Sequence, residues 1–130
     1  MDPKKIWANL AVVDLDRTEK FYSALGFRAN GPQTSKELRS FFMGEANFIV
    51  HFFLKDILKT AIKGELTNSN VSNEIIFTLS AESQEQVNGW ASEIEKAGGR
   101  LVSRPESFGE GYYGFVFADP DGHRFNVFYM

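Results

Sequence analysis

The chain has 130 residues, a net charge of −3, 43% hydrophobic and 15% aromatic residues, and no cysteine. That length suits a single domain with a real hydrophobic core. The mild acidity gives no footprint for nucleic acid, no run approaches the roughly 20 apolar residues of a transmembrane helix, and disulfides, thiolate metal sites and thiol nucleophiles are excluded.

Met1-Asp2-Pro3-Lys4-Lys5 leads into a strand-like run with no signal-peptide core, so a cytoplasmic protein is expected. Ile6 to Val13 reads as a strand whose one polar break is Asn9. Asp16-Arg17-Thr18-Glu19 has the form of a capping box, an acidic N-cap with Glu three residues on. Phe21, Tyr22 and Leu25 give a short amphipathic helix that Gly26 stops. Phe27 to Asn30 is a short strand, and Gly31 to Glu37 a longer loop. Leu38 to Met43 and Asn47 to Leu54 are two further strands joined around Gly44-Glu45-Ala46. Asp56 to Gly64 is expected to be a linker helix with Ile57, Leu58, Ala61 and Ile62 inward. Glu65 to Asn73, rich in Asn and Ser, is expected to be a flexible joint.

The same order then returns. Glu74 to Ser80 is a strand, and Ser83-Gln84-Glu85-Gln86 is a second capping box. Val87, Ala91 and Ile94 mark a helical face that Gly98-Gly99 ends. Arg100 to Ser103 is a strand and Glu106 to Gly111 a longer loop, and Gly109-Glu110-Gly111-Tyr112-Tyr113-Gly114 is read as a mobile lip. Tyr112 to Ala118 and His123 to Tyr129 flank Asp119-Pro120-Asp121-Gly122, a hairpin closed by a type I turn and a glycine bulge. The expected fold class is α+β, two tandem βαβββ modules over about 1–64 and 74–130 with mostly antiparallel sheets, joined by a linker over about 65–73.

Three stretches carry a resemblance to the vicinal oxygen chelate superfamily, which includes glyoxalase I, bleomycin resistance proteins and extradiol dioxygenases. The run Asn9 to Leu15 with Phe21-Tyr22 and Leu25-Gly26-Phe27 is similar to the family's opening module. Ala97-Gly98-Gly99 resembles the end of its second helix, and Asp119 to Gly122 its closing hairpin. The resemblance implies curled sheets around a shared cleft, a small-molecule ligand and a homodimer. It also implies a divalent ion held from four positions, which are Trp7, His51, Glu74 and Asn126 in this sequence. An indole nitrogen only donates, and Asn126 stands where a glutamate usually closes the site. Only His51 and Glu74 are then competent ligands, so no metal and no cofactor is expected.

Strand alternation adds neighbours to these positions, because side chains two apart share a face. Trp7 brings Asn9, and His51 brings Ile49 and Phe53. Glu74 brings Ile76 and Thr78, and Asn126 brings Arg124 and Phe128. The expected ligand-binding surface is aromatic with few polar groups.

Each candidate has a plain alternative. His51 is either a core histidine with one backbone partner or half of a His51–Glu74 acid-base pair. Glu74 is a pocket residue or a solvated one. Trp7 serves core packing, a dimer seam or ligand stacking. Arg124 is a cation for an anionic substrate or an exposed strand residue, and His123 is expected to be exposed or edge-pairing. No nucleophile elbow, Walker loop or dinucleotide fingerprint is present. Metal-independent ligand binding of the bleomycin-resistance type is the leading expectation. Glyoxalase-like lyase, isomerase or dioxygenase chemistry through His51 and Glu74, with or without a metal, is the alternative. A structural dimer whose thirteen phenylalanines fill the cleft is a third.

Overall fold

A computed structural model describes residues 1–130, and its contacts divide the chain into two units, Met1–Leu66 and Thr67–Met130.

The first unit contains β1 (Trp7–Val12), α1 (Leu15–Ala24), β2 (Arg28–Ala29), β3 (Leu38–Met43), β4 (Phe48–Leu54) and α2 (Lys55–Ile62). Its sheet runs in the order β1-β4-β3-β2. The β1–β4 pair is parallel and the other two pairs are antiparallel. Alternation puts Val12, Phe41, Val50 and Phe52 on the face that receives Phe21 and Tyr22 of α1, and all six are buried. The Tyr22 ring lies 4.4 Å from Phe52 and 5.7 Å from Phe41, within the range where aromatic pairs add to plain area burial.

The capping box expected at Asp16–Glu19 sits two residues too late. Asp14 is the N-cap, extended at φ −144°, and its carboxylate accepts from the Arg17 amide at 3.0 Å. Glu19 is drawn instead to Arg39 of β3, at 3.1 Å, and Asp16 of the first turn lies 3.4 Å from the same guanidinium. Arg39 also donates to the Ser35 and Leu38 carbonyls. This charge is buried on the helix face of the sheet and is therefore held by several acceptors at once. Gly26, at φ 85°, ends α1 as expected. In α2 only Leu58 is buried, while Ala61 and Ile62 are exposed; two turns offer the sheet a single narrow stripe.

The second unit contains β5 (Ile76–Ser80), α3 (Gln84–Ala97), β6 (Arg100–Leu101), β7 (Glu106–Phe108), β8 (Tyr112–Ala118) and β9 (Arg124–Tyr129). Its sheet runs β5-β9-β8-β6, with β7 also paired to β8. Again one pair, β5–β9, is parallel. Val87, Ala91 and Ile94 of α3 are buried on the side of Phe115, Phe117, Phe125 and Val127. Ser83 caps α3 by accepting from the Gln86 amide at 3.0 Å. The Gln86 side chain reaches back to the Glu82 amide, one residue before the cap. Gly98 closes the helix at φ 102°.

Three expectations change in this unit. The strand begins at Ile76, leaving Glu74 on an exposed bend. The segment read as a loop over Glu106–Gly111 contains β7, so it is a hairpin arm. His123 is buried, only 7% exposed, because it folds back onto the carboxylate of Asp119.

That turn is built as its residues dictate. The Gly122 amide donates to the Asp119 carbonyl at 2.9 Å, and Gly122 takes φ 93°. Asp119 Oδ1 accepts from the Asp121 and His123 amides, and Oδ2 pairs with His123 Nδ1 at 2.8 Å. The segment expected to be a flexible joint is tied down here. Ser69 Oγ donates to the Asp121 carbonyl at 2.6 Å, and Asn73 donates to the Gly122 carbonyl at 3.3 Å.

Candidate functional site

Each sheet packs a helix on one face, and the sequence-derived candidates other than Glu74 fall on the other. In the first unit, register aligns Trp7, Ile49 and Phe42 across β1, β4 and β3. The next row is Asn9, His51 and Ser40, and the next Ala11, Phe53 and Leu38. Trp7, Asn9, Ile49, His51 and Phe53 therefore share one face. Trp7 is 51% exposed, which removes it from the core of its own unit.

His51 is the polar centre of this face. Its ring is edge-on to Trp7 at 6.4 Å and to Phe53 at 5.8 Å. Nδ1 is buried and has no hydrogen-bond partner. Burial pushes the imidazole below its ordinary pKa of 6.5, so the ring is neutral at pH 7. A neutral imidazole offers one donor and one acceptor, and an unpaired buried one costs about 1–3 kcal/mol. The neighbouring hydroxyl of Ser40 is engaged by Asn30, whose amide donates to it at 3.0 Å. A core histidine with a satisfied Nδ1 is therefore not what this position holds.

In the second unit, β5 and β9 align Ile76 with Arg124, Thr78 with Asn126 and Ser80 with Phe128. These candidates also share the face opposite α3. Glu74 does not join them through strand alternation, since it precedes β5 and is exposed. Arg124 is half-buried, and its guanidinium reaches the Gly122 carbonyl at 3.4 Å. Two aromatic residues that alternation from the four family positions did not reach lie beside Phe128. Phe108 is 6.0 Å from it and Tyr112 5.2 Å. The signal was present as two aromatics flanking Gly109-Glu110-Gly111, the pattern of a tight hairpin rather than a lip.

The divalent ion implied for this fold does not fit the donors present. Trp7 contributes only an N–H, Asn126 contributes an amide, and no group of three His, Asp or Glu side chains gathers to hold a cation. No helix is long and apolar enough to cross a membrane.

Two successive units, each a mixed sheet with a helix over one face and a strand-helix-strands order, define a tandem α+β protein of paired modules. The model of the Glyoxalase/Bleomycin resistance protein/Dioxygenase superfamily matches residues 6–127, and the chain belongs to that family. Among solved structures it is similar to the hypothetical protein SA1046 from S. aureus, with 28% identity, a TM-score of 0.86, and coverage of 100% of this chain and 96% of that one. It is also similar to a glyoxalase-related enzyme from Fulvimarina pelagi, with 19% identity, a TM-score of 0.84, and coverage of 98% and 89%. Lactoylglutathione lyase from Agrobacterium tumefaciens shares the fold at 17% identity and a TM-score of 0.67, with coverage of 99% and 96%. No curated protein sequence matches the chain.

Proposed function

We propose that this protein binds a small organic molecule without the help of a metal ion, using the aromatic faces that its sheets turn away from their helices. The observation that carries the reading is His51. Its unpaired Nδ1 sits among Trp7 and Phe53, an arrangement suited to one directed hydrogen bond within an otherwise apolar contact. A ligand carbonyl or hydroxyl supplies the missing partner once the imidazole turns Nδ1 toward the face, and the rings of Trp7 and Phe53 cover its apolar part. Metal independence is supported by the donor chemistry of Trp7 and Asn126.

Isothermal titration against a panel of aromatic antibiotics and metabolites tests this. Binding is expected before and after chelator treatment, and His51→Ala and Trp7→Ala are each expected to weaken it about tenfold or more, the worth of one good contact of this kind. Binding that requires a stoichiometric metal overturns the reading, as does a panel without binders alongside turnover of a small substrate.

One observation favours a second reading, an enzyme of the glyoxalase type. A histidine kept neutral by burial is ready to accept a proton from a substrate carbon acid. Turnover of the methylglyoxal–glutathione adduct that vanishes in His51→Gln distinguishes this reading from binding alone.

A further inference from the structure

The open face of the second sheet is graded from aromatic to cationic along β9. At one end, the rings of Phe108, Tyr112 and Phe128 lie 5.2 to 6.0 Å from one another. Phe108 and Tyr112 stack at 18° across the β7–β8 hairpin, and they are 41% and 37% exposed. Gly109 and Gly111, at φ 58° and 77°, make the turn that brings them together. Register places Gly114 directly opposite Phe128. A Cβ on Gly114 would run into the Val127 carbonyl, so position 114 puts no side chain on the face beside Phe128. The middle of the face is the polar pair Thr78 and Asn126. The far end carries Arg124, with Ala118 beside it and Arg100 at the next position across β8.

Three rings left partly open to solvent in one cluster exceed what a strand edge needs, and a cation lies in line with them. We propose that this face takes an elongated aromatic acid. Its planar ring seats on Phe108, Tyr112 and Phe128, a polar link lies at Asn126, and its carboxylate pairs with Arg124. The four residue steps from Phe128 to Arg124 span about 13 Å at ~3.3 Å per residue, which sets the scale of the separation of ring and acid. Glu106 occupies the aromatic row, opposite Gly114. Its carboxylate repels an acid placed at that end, so the ligand binds in one direction. The inference rests on the reading that this family member binds a small organic molecule. It adds the chemical class and a location on the second unit.

Fluorescence titration of the full chain with dansyl-6-aminohexanoate, its methyl ester and dansylamide is the test. The free acid is expected to bind about tenfold or more tightly than the ester, as one charge-assisted contact allows. Arg124→Gln should erase that difference while leaving ester binding unchanged. Phe108→Ala and Tyr112→Ala, both at exposed positions, should weaken acid and ester alike, with circular dichroism confirming the fold. Equal binding of acid and ester overturns the proposal, as does an acid preference that survives Arg124→Gln. Probes that fail to bind at all also overturn it, while the titration panel for the broader reading stands separately. Binding lost in His51→Ala but kept in Tyr112→Ala places the ligand on the first unit, so the broader reading survives and this inference falls.

Discussion

Gly122→Ala tests whether the closing turn works as its geometry says. Gly122 sits at φ 93°, and an added Cβ would lie 2.6 Å from the Ser69 carbonyl oxygen and 2.8 Å from Asn70 Oδ1. A left-handed backbone costs a non-glycine residue about 1–2 kcal/mol. The clash adds to this, because Ser69 can move only by giving up its hydrogen bond to Asp121, worth about 0.5–1.5 kcal/mol. The expected loss is therefore about 1.5–3.5 kcal/mol. With an unfolding entropy of about 2.1 cal/mol/K per residue over 130 residues, each kcal/mol is ~4 °C, so Tm should fall by about 6–14 °C. Gly98→Ala is the matched control in the same unit. Gly98 has φ 102° with nothing within 4 Å of its added Cβ, so it carries the backbone cost alone. Differential scanning calorimetry of both variants isolates the clash. Losses that agree to within about 0.5 kcal/mol, roughly 2 °C, would refute the reasoning.

Phe52→Ala removes a ring with no exposed surface that packs on Tyr22 and Phe41, and urea denaturation should show about 3–5 kcal/mol of lost stability. Asp119→Ala strips the buried amides of Asp121 and His123 of their acceptor and leaves His123 without its carboxylate. A loss of about 3–5 kcal/mol in the same assay is expected, and one below about 1 kcal/mol would mean that the turn holds without it. His51 is depressed by burial, so below pH 6.5 the unfolded chain takes up the proton before the folded one does. Stability should be full above that pH and decline as the pH falls through the window down to the folded pKa. The decline attributable to His51 should be missing from denaturation curves of His51→Gln, and ligand affinity that needs the neutral ring should fade over the same acid range.

Much of the fold was legible because its signals are local. Gly26, Gly98 and Gly122 punctuate the chain through backbone geometry that needs no partner to be favourable. The alternation of β4 and β9 sorts Val50 and Phe52 from Ile49, His51 and Phe53, and Phe125 and Val127 from Arg124, Asn126 and Phe128, and register bore out both divisions. The repeated strand-helix-strands order followed from the same periodicity. Where competing local signals lay two residues apart, the sequence misled. Asp14 and Asp16 both suit an N-cap, and what separates them is Arg39, a residue of β3 that takes Glu19 out of the capping role.

The candidate site divides along the same line. Which side chains share a face is a property of the strand and can be read from residue order alone. What each one touches is a property of the packing. Whether His51 Nδ1 finds a partner depends on what the neighbouring strands set around it, and here they offer none. Whether Phe108 and Tyr112 meet Phe128 depends on β8 pairing with both β7 and β9; the flanking aromatics signal the hairpin but not the strand that lies beside it. His123 is buried because Asp119 turns back to it, and Ser69 is ordered because Asp121 offers it a carbonyl 52 residues away. Backbone preference and alternation act within a few residues, so the sequence by itself determined the elements and their faces. Burial and hydrogen-bond pairing sum over distant neighbours, and only the tertiary structure decided those.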